Sequence, residues 1–294
     1  MGFAISFPTI SSVRIRCSMK TLVAFSGGLD SIYVLWKELV NTNNEVTAVF
    51  YDGDKITNEL RDEFNVLNVE DKNFCNIRWI QIQKITNAMM AETRQFKVIK
   101  ESYDPVFLNK EDKCFNHGAA LRTAMAVRRI NNGEYDKLIS GVCRDNDGYQ
   151  INRNSFVRNE TASSLMTKYF IKHAKRGELS LPLLDMKYTT ANAIAELPKH
   201  IVQLNRSCTS SLLSNAIACN YCYKCLMHSY SHHLLSEGKT PEQIYDIYTE
   251  KSLQADGSWR SQKAWICEEI PSDLENSKRT FPMPEWGHSY IVPE

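Results

Sequence analysis

Short apolar runs alternate with helix-period segments through the first two-thirds of the chain. Leu22 to Phe25, Val46 to Tyr51, Ile77 to Ile82 and Lys137 to Ser140 read as strands, being short, apolar and bounded by turn residues. Between and around them, Ile32 to Val40, Thr57 to Asn68, Ile85 to Phe96 and His117 to Ile130 place apolar residues at helical spacing. This βαβα order predicts an α/β fold: a doubly wound, mostly parallel sheet with helices on both faces. Right-handed crossovers gather the C-terminal ends of parallel strands on one edge. Lys97 to Asn116 is polar and weakly periodic and reads as a lid or substrate loop. A helix is expected at Thr189 to Leu197. Another starts at Thr240-Pro241-Glu242-Gln243, which supplies an N-cap, a proline at the first helical position and a glutamine at the third. The region beyond, with Trp259, Trp265, Trp286 and several prolines, reads as an irregular tail packed on the body.

The first strand ends in Ser26-Gly27-Gly28-Leu29-Asp30-Ser31, and a helix follows at once. Such a turn aims backbone N–H groups and the positive helix end at one point, where a phosphate fits. Glycines at 27 and 28 permit positive φ and close approach of an anion. Ser26 and Ser31 add hydroxyl donors, and Asp30 is a candidate N-terminal cap or Mg²⁺ ligand. The pattern lacks the Gly-Lys-Ser/Thr of a Walker loop and the Gly-x-Gly-x-x-Gly of a dinucleotide fold. An ordinary strand-to-helix turn is the plainer reading. The complete Ser-Gly-Gly-x-Asp-Ser motif favours phosphate binding. On the same sheet edge the topology places Asp52-Gly53-Asp54 and Gly141-Val142-Cys143-Arg144-Asp145.

Composition narrows the class. The 294 residues suffice for one large domain with appendages, and 35 basic residues against 34 acidic ones create no bulk field for nucleic acid. No apolar run approaches the roughly 20 residues of a membrane span. Nine cysteines suit thiol chemistry or metal ligation in a cytoplasmic enzyme more than a disulfide framework. Residues 1–18 carry arginines and serines but no acid. They read as a start-site extension upstream of Met19, with a transit peptide or a myristoylated terminus as the other readings. The remaining divisions fall at 19–200, a nucleotide-binding domain; 201–237, a cysteine-bearing segment and helix; and 238–294, a C-terminal extension.

Cys208, Cys219, Cys222 and Cys225 form C-x₁₀-C-x₂-C-x₂-C. Four thiolates at this spacing point to a closed tetrahedral zinc site of structural character, with an iron–sulfur centre as competitor. Buried or redox-active thiols, and sulfur transfer through Cys-x-x-Cys, are the alternatives. His228, His232 and His233 follow on the next helix, the first two spaced i, i+4, and read as a solvated or partly packed polar face rather than a second metal pair.

The Ser26 loop resembles the PP-loop of the ATP pyrophosphatase superfamily, whose members cleave ATP between the α- and β-phosphates and adenylate a substrate oxygen. Loop and cysteine cluster together resemble the 7-cyano-7-deazaguanine synthase family. Further matches are Ile139-Ser140-Gly141-Val142-Cys143, Asp145, Gly148-Tyr149, Arg153, Phe156-Val157, Pro182-Leu183-Leu184 with Lys187, and Ser207-Cys208. The resemblance runs from about Met19 to Glu237. It implies a five-stranded, adenine nucleotide alpha hydrolase-like sheet with a C-terminal zinc-binding helical extension. It also implies ATP, Mg²⁺ and Zn²⁺ as cofactors, a deazapurine acid and ammonia as partners, and a homodimer.

By that resemblance, Ser26, Gly27, Gly28, Leu29, Asp30, Ser31 and Gly141 would bind ATP. Ser26, Asp30 and Lys187 would serve the chemistry, with Lys187 beside the α-phosphate or the substrate carboxylate. Asp145, Tyr149, Arg153 and Phe156 would bind the deazapurine. Cys143 reads as a small packed residue, because adenylation needs no thiol. Two segments depart from the family pattern near the expected substrate pocket: Tyr51 to Lys55, and Cys114 to Ala120. The expected reaction is conversion of 7-carboxy-7-deazaguanine to the nitrile or amide. The alternatives are adenylation of another carboxylate or amide, tRNA thiolation, and an ATP-binding regulator, which the intact loop disfavours.

Overall fold

The computed structural model describes residues 18–52, 74–102, 117–143, 162–205, 223–253 and 265. Five strands build one sheet: β1 (Lys20–Ala24), β2 (Glu45–Asp52), β3 (Lys97–Ser102), β4 (Lys137–Ser140) and β5 (Glu178–Ser180). Their order is β3-β2-β1-β4-β5, and every pairing is parallel. The helices among the described residues are α1 (Leu29–Asn41), α2 (Phe74–Glu92), α3 (His117–Asn131), α4 (Ala162–His173), α5 (Pro182–Asp185), α6 (Thr190–Glu196), α7 (Lys199–Leu204), α8 (Tyr223–Ser236) and α9 (Pro241–Ser252).

Period-two alternation along the central strands divides the core into two layers. Val23, Ala48, Phe50 and Ile139 pack with Ile32, Leu35 and Leu39 of α1 and with Ile82, Ile85 and Met89 of α2. Leu22, Val49, Tyr51 and Leu138 face the other way, onto Val127 and Ile130 of α3 and Met166 and Phe170 of α4. Apolar faces on both sides of β1, β2 and β4 are what a sheet sandwiched between helices requires. The expected α/β sheet with helices on both faces is therefore present.

The third strand is displaced from its expected place. Ile77 to Ile82 is not a strand; it belongs to α2, in which Ile82, Ile85 and Met89 are buried at helical spacing. The helix expected at Ile85 to Phe96 is the second half of α2, ending at Glu92. The strand is instead Lys97–Ser102, the start of the stretch expected to be a loop. β3 is a sheet edge, and edge strands carry lysines that discourage further pairing, here Lys97 and Lys100. The fifth strand that the resemblance implies is the three-residue β5, at the opposite edge among the described residues. Thr57 to Asn68 lies outside the described residues.

The helix expected from Thr189 to Leu197 is α6 with those two residues as its caps, and the cap expected at Thr240 is present. Thr189 caps α6 through a reciprocal capping box with Asn192, and Thr240 caps α9 with Gln243, with Pro241 in the first turn. A third apolar cluster joins α6, α8 and α9: Ala191, Leu226, Met227, Tyr230, Leu234, Ile244 and Tyr248 surround the fully buried Trp265. Trp265 donates its indole N–H to Ser252 Oγ at 3.0 Å. Among the described residues, no helix is long and apolar enough to cross a membrane.

Candidate functional site

The chain winds from β1 outward to β3, then crosses to β4 and β5 on the other side of β1. The switch point therefore lies between β1 and β4, where open α/β sheets bind ligands. The Ser26 loop leaves β1 there, and Gly141 leaves β4 beside it.

The loop is held by its own serines. Ser31 Oγ donates to the Gly28 carbonyl at 2.8 Å, and Ser26 N donates to Ser31 Oγ at 3.2 Å. The two hydroxyls lie 3.2 Å apart, and Gly28 N approaches Ser26 Oγ at 3.4 Å. Of the two loop glycines only Gly27 uses positive φ, at +77°. Gly28 is extended and stands at the N-cap of α1 without a capping side chain. The helix thus opens with the positive end of its dipole toward the loop, the arrangement that favours an anion. Ser26 is exposed at the mouth, while Gly27 and Ser31 are buried.

Gly141 leaves little room for a side chain. A Cβ at that position would lie 3.0 Å from the Asp30 carbonyl carbon and oxygen and 3.1 Å from Ser31 N. The end of β4 and the first turn of α1 are in backbone contact.

Asp30 is the hub of the site. Tyr188 donates its hydroxyl to Asp30 Oδ1 at 2.8 Å. Lys224 Nζ stands 3.6 Å from Oδ2, and Cys143 Sγ lies 3.8 Å from the same oxygen. Only 19% of the Asp30 side chain and 12% of the Lys224 side chain are exposed. Tyr188 sits between α5 and α6 and packs against Tyr33 with ring centroids 5.3 Å apart. Tyr33 donates to Glu196 at 2.8 Å; burial first, then the Glu196 carboxylate, pushes its phenol well above the usual tyrosine range. Four segments distant in sequence thus meet at one carboxylate: the end of β4, the turn before α6, and α8 all reach the first turn of α1.

The other expected site residues divide into two groups. Lys187 is described, and its ammonium is turned to Asp246 of α9, 3.3 Å away, over the Tyr245 ring. Its side chain is 63% exposed, and among the described residues a basic group at the loop is Lys224. Asp145, Tyr149, Arg153 and Phe156, together with Cys208, Cys219 and Cys222, lie outside the described residues. Cys225 is buried in the first turn of α8, immediately after Lys224. Among the described residues, no three potential ligands come together as a metal site.

His228 is not a solvated residue: it is buried in α8, with its ring edge-on to His232 at 4.9 Å. Burial, then the neighbouring His232, pushes its pKa down to about 3, so it is held neutral. Sequence reasoning missed Tyr188 and Lys224. Lys224 lies inside the Cys-x-x-Cys pattern, where attention goes to the thiols. The adjacency of Tyr188 to Lys187 was the available signal.

A family model described as queuosine biosynthesis protein QueC matches residues 20–234. No curated protein matches the chain. Among solved structures, the chain is similar to the U34-tRNA thiolase NcsA from Methanococcus maripaludis with its 4Fe–4S cluster. That likeness has 15% identity and a TM-score of 0.36, and covers 96% of this chain and 82% of that one. A predicted subunit of tRNA methyltransferase from Methanocaldococcus jannaschii is similar at 14% identity and a TM-score of 0.34, over 76% of this chain and 92% of that one.

Proposed function

The chain belongs to the family of the queuosine biosynthesis protein QueC, and on that premise we propose that it uses ATP to convert 7-carboxy-7-deazaguanine and ammonia to 7-cyano-7-deazaguanine. The observation that carries the ATP half is the Ser26–Ser31 loop at the sheet switch point, with Gly141 against its backbone.

In this reading a substrate carboxylate oxygen attacks the α-phosphorus of ATP, and the bond to pyrophosphate breaks. The loop N–H groups and the Ser26 hydroxyl would donate to the leaving pyrophosphate, while Ser31, whose hydroxyl donates to the Gly28 carbonyl, would hold the loop in shape. Ammonia then displaces AMP from the acyl-adenylate, giving an amide and a proton. The amide oxygen then attacks the α-phosphorus of a second ATP, a second pyrophosphate leaves, and loss of AMP and two protons gives the nitrile. Asp145 and Arg153 would take the polar edge of the deazapurine, and Tyr149 or Phe156 its face.

Mg²⁺ would enter with the ATP phosphates and supply charge neutralisation there. Asp30 does not fit as its ligand: an ammonium 3.6 Å from Oδ2 repels a dication, and Oδ1 already accepts from Tyr188. Zinc would belong to Cys208, Cys219, Cys222 and Cys225 and would be structural, with no part in the reaction.

The test is incubation of the full chain with ATP, Mg²⁺, ammonia and 7-carboxy-7-deazaguanine. Formation of the nitrile with AMP and pyrophosphate is the expected result; pyrophosphate at background level would sink the reading. A second reading, adenylation of a different acid on the same scaffold, is favoured by the divergent segments Tyr51 to Lys55 and Cys114 to Ala120. It predicts turnover with another nucleobase-like acid and none with this one.

A further inference from the structure

We propose that Lys224 is a positioning residue for ATP: it neutralises and holds Asp30, and so makes the Ser26–Ser31 loop able to accept pyrophosphate. The proposal rests on the reading of that loop as an ATP site. A carboxylate in the first turn of α1 offsets the positive helix end and repels a polyphosphate placed there. Asp30 is such a carboxylate, and it is four-fifths buried. Its hydroxyl partner, Tyr188, orients it but carries no charge. Lys224 supplies the missing charge at 3.6 Å from Oδ2, from a side chain itself 12% exposed.

The position of Lys224 gives the contact a second consequence. It stands in the first turn of α8, between Cys222 and Cys225. Displacement of the cysteine-bearing segment would withdraw the ammonium and leave Asp30 facing the phosphates uncompensated. Lys187, by contrast, is spent on Asp246 at the surface.

The experiment measures MgATP affinity by calorimetry, with melting temperature alongside, on the full chain and on K224M, K224R, D30N and D30N/K224M. Loss of a charged hydrogen-bonding partner predicts ATP binding weakened roughly 10- to 100-fold in K224M. K224R, which keeps the charge, is expected to recover binding to within about threefold of the original chain. D30N/K224M should also bind more tightly than K224M, because the unpaired carboxylate is gone. D30N removes the charge that Lys224 answers, so adding K224M to D30N should cost less ATP affinity than K224M costs in the original chain.

K224M with unaltered ATP affinity would overturn the proposal. So would a K224M defect that neither K224R nor D30N relieves, since that pattern marks a structural residue. Should K224M fail to fold, K224R carries the test: a folded K224R with ATP binding weakened roughly tenfold or more overturns it. A native chain that binds ATP but releases no pyrophosphate with 7-carboxy-7-deazaguanine defeats the functional reading and leaves this inference standing. A native chain that binds no ATP defeats both.

Discussion

Replacing Gly141 by alanine would test the contact on which the site geometry turns. The added methyl would stand 3.0 Å from the carbonyl of Asp30 and 3.1 Å from the amide nitrogen of Ser31. Both are backbone atoms, so no side-chain rotation relieves the clash. Ordinary non-bonded separation calls for a shift of roughly half an ångström. Forced repacking of this kind costs about 1–3 kcal/mol. For a domain of this size that is a fall in Tm of roughly 2–10 °C. The functional effect should be larger, because the shift falls on the turn that positions the loop donors. Misplacement on that scale predicts a loss of roughly tenfold or more in pyrophosphate release. Gly238→Ala is the control. That glycine has φ of +81° with nothing within 4 Å of an added Cβ. It should lose about 1–2 kcal/mol from left-handed backbone strain alone and leave ATP use intact. Calorimetric ATP binding, pyrophosphate release and thermal melts on both variants decide the matter. Gly141→Ala with turnover and affinity at the original level would refute the close-contact reasoning.

Three further outcomes follow from the geometry. Lys187→Met removes an exposed ion pair worth about 0–1 kcal/mol, so pyrophosphate release should change little; a collapse in turnover would show that Lys187 swings to the phosphates when ATP binds. Trp265→Ala empties the centre of the α6–α8–α9 cluster and should cost about 3–5 kcal/mol in thermal or denaturant unfolding, and an unchanged midpoint would overturn that packing. His228 is held neutral with a folded pKa of about 3, below its ordinary 6.5, so the unfolded chain takes up the proton first as pH falls. Its contribution is complete above pH 6.5 and is lost on acidification toward pH 3, at about 1.4 kcal/mol per unit from this group. The melting temperature should therefore drop between pH 7 and 5, and less steeply in His228→Phe; equal slopes would count against the assignment.

The central strands, the glycine turn after β1 and the cap at Thr240 were legible because each has a local cause. A buried strand must be apolar, a positive φ favours glycine, and an N-cap needs an oxygen. The edge strands were not, because an edge is free to be polar. Lys97–Ser102 carries two lysines and a glutamate and pairs on one side only, so it resembles a loop. Ile77 to Ile82 misled for the opposite reason. Its mixed apolar spacing suits a strand and one side of a helix alike over six residues, and only the continuation to Ile85 and Met89 separates them.

The site shows the same division. The donors of the Ser26–Ser31 loop come from one contiguous segment and could be read directly. The partners of their one carboxylate come from Tyr188 and Lys224, which no spacing rule connects to residue 30. Their meeting follows from packing: Ala191 of α6 sits in the cluster formed by α8, α9 and Trp265, which brings the turn before α6 and the start of α8 to the same place. The boundary drawn at residue 200 falls between the two members of the Asp30–Lys224 pair. A chain cut there would lose the ammonium that stands 3.6 Å from Asp30 Oδ2. The Ser26–Ser31 loop and the helix that carries Cys225 are thus joined through one ion pair, and on the proposed reading ATP binding should report on the integrity of both.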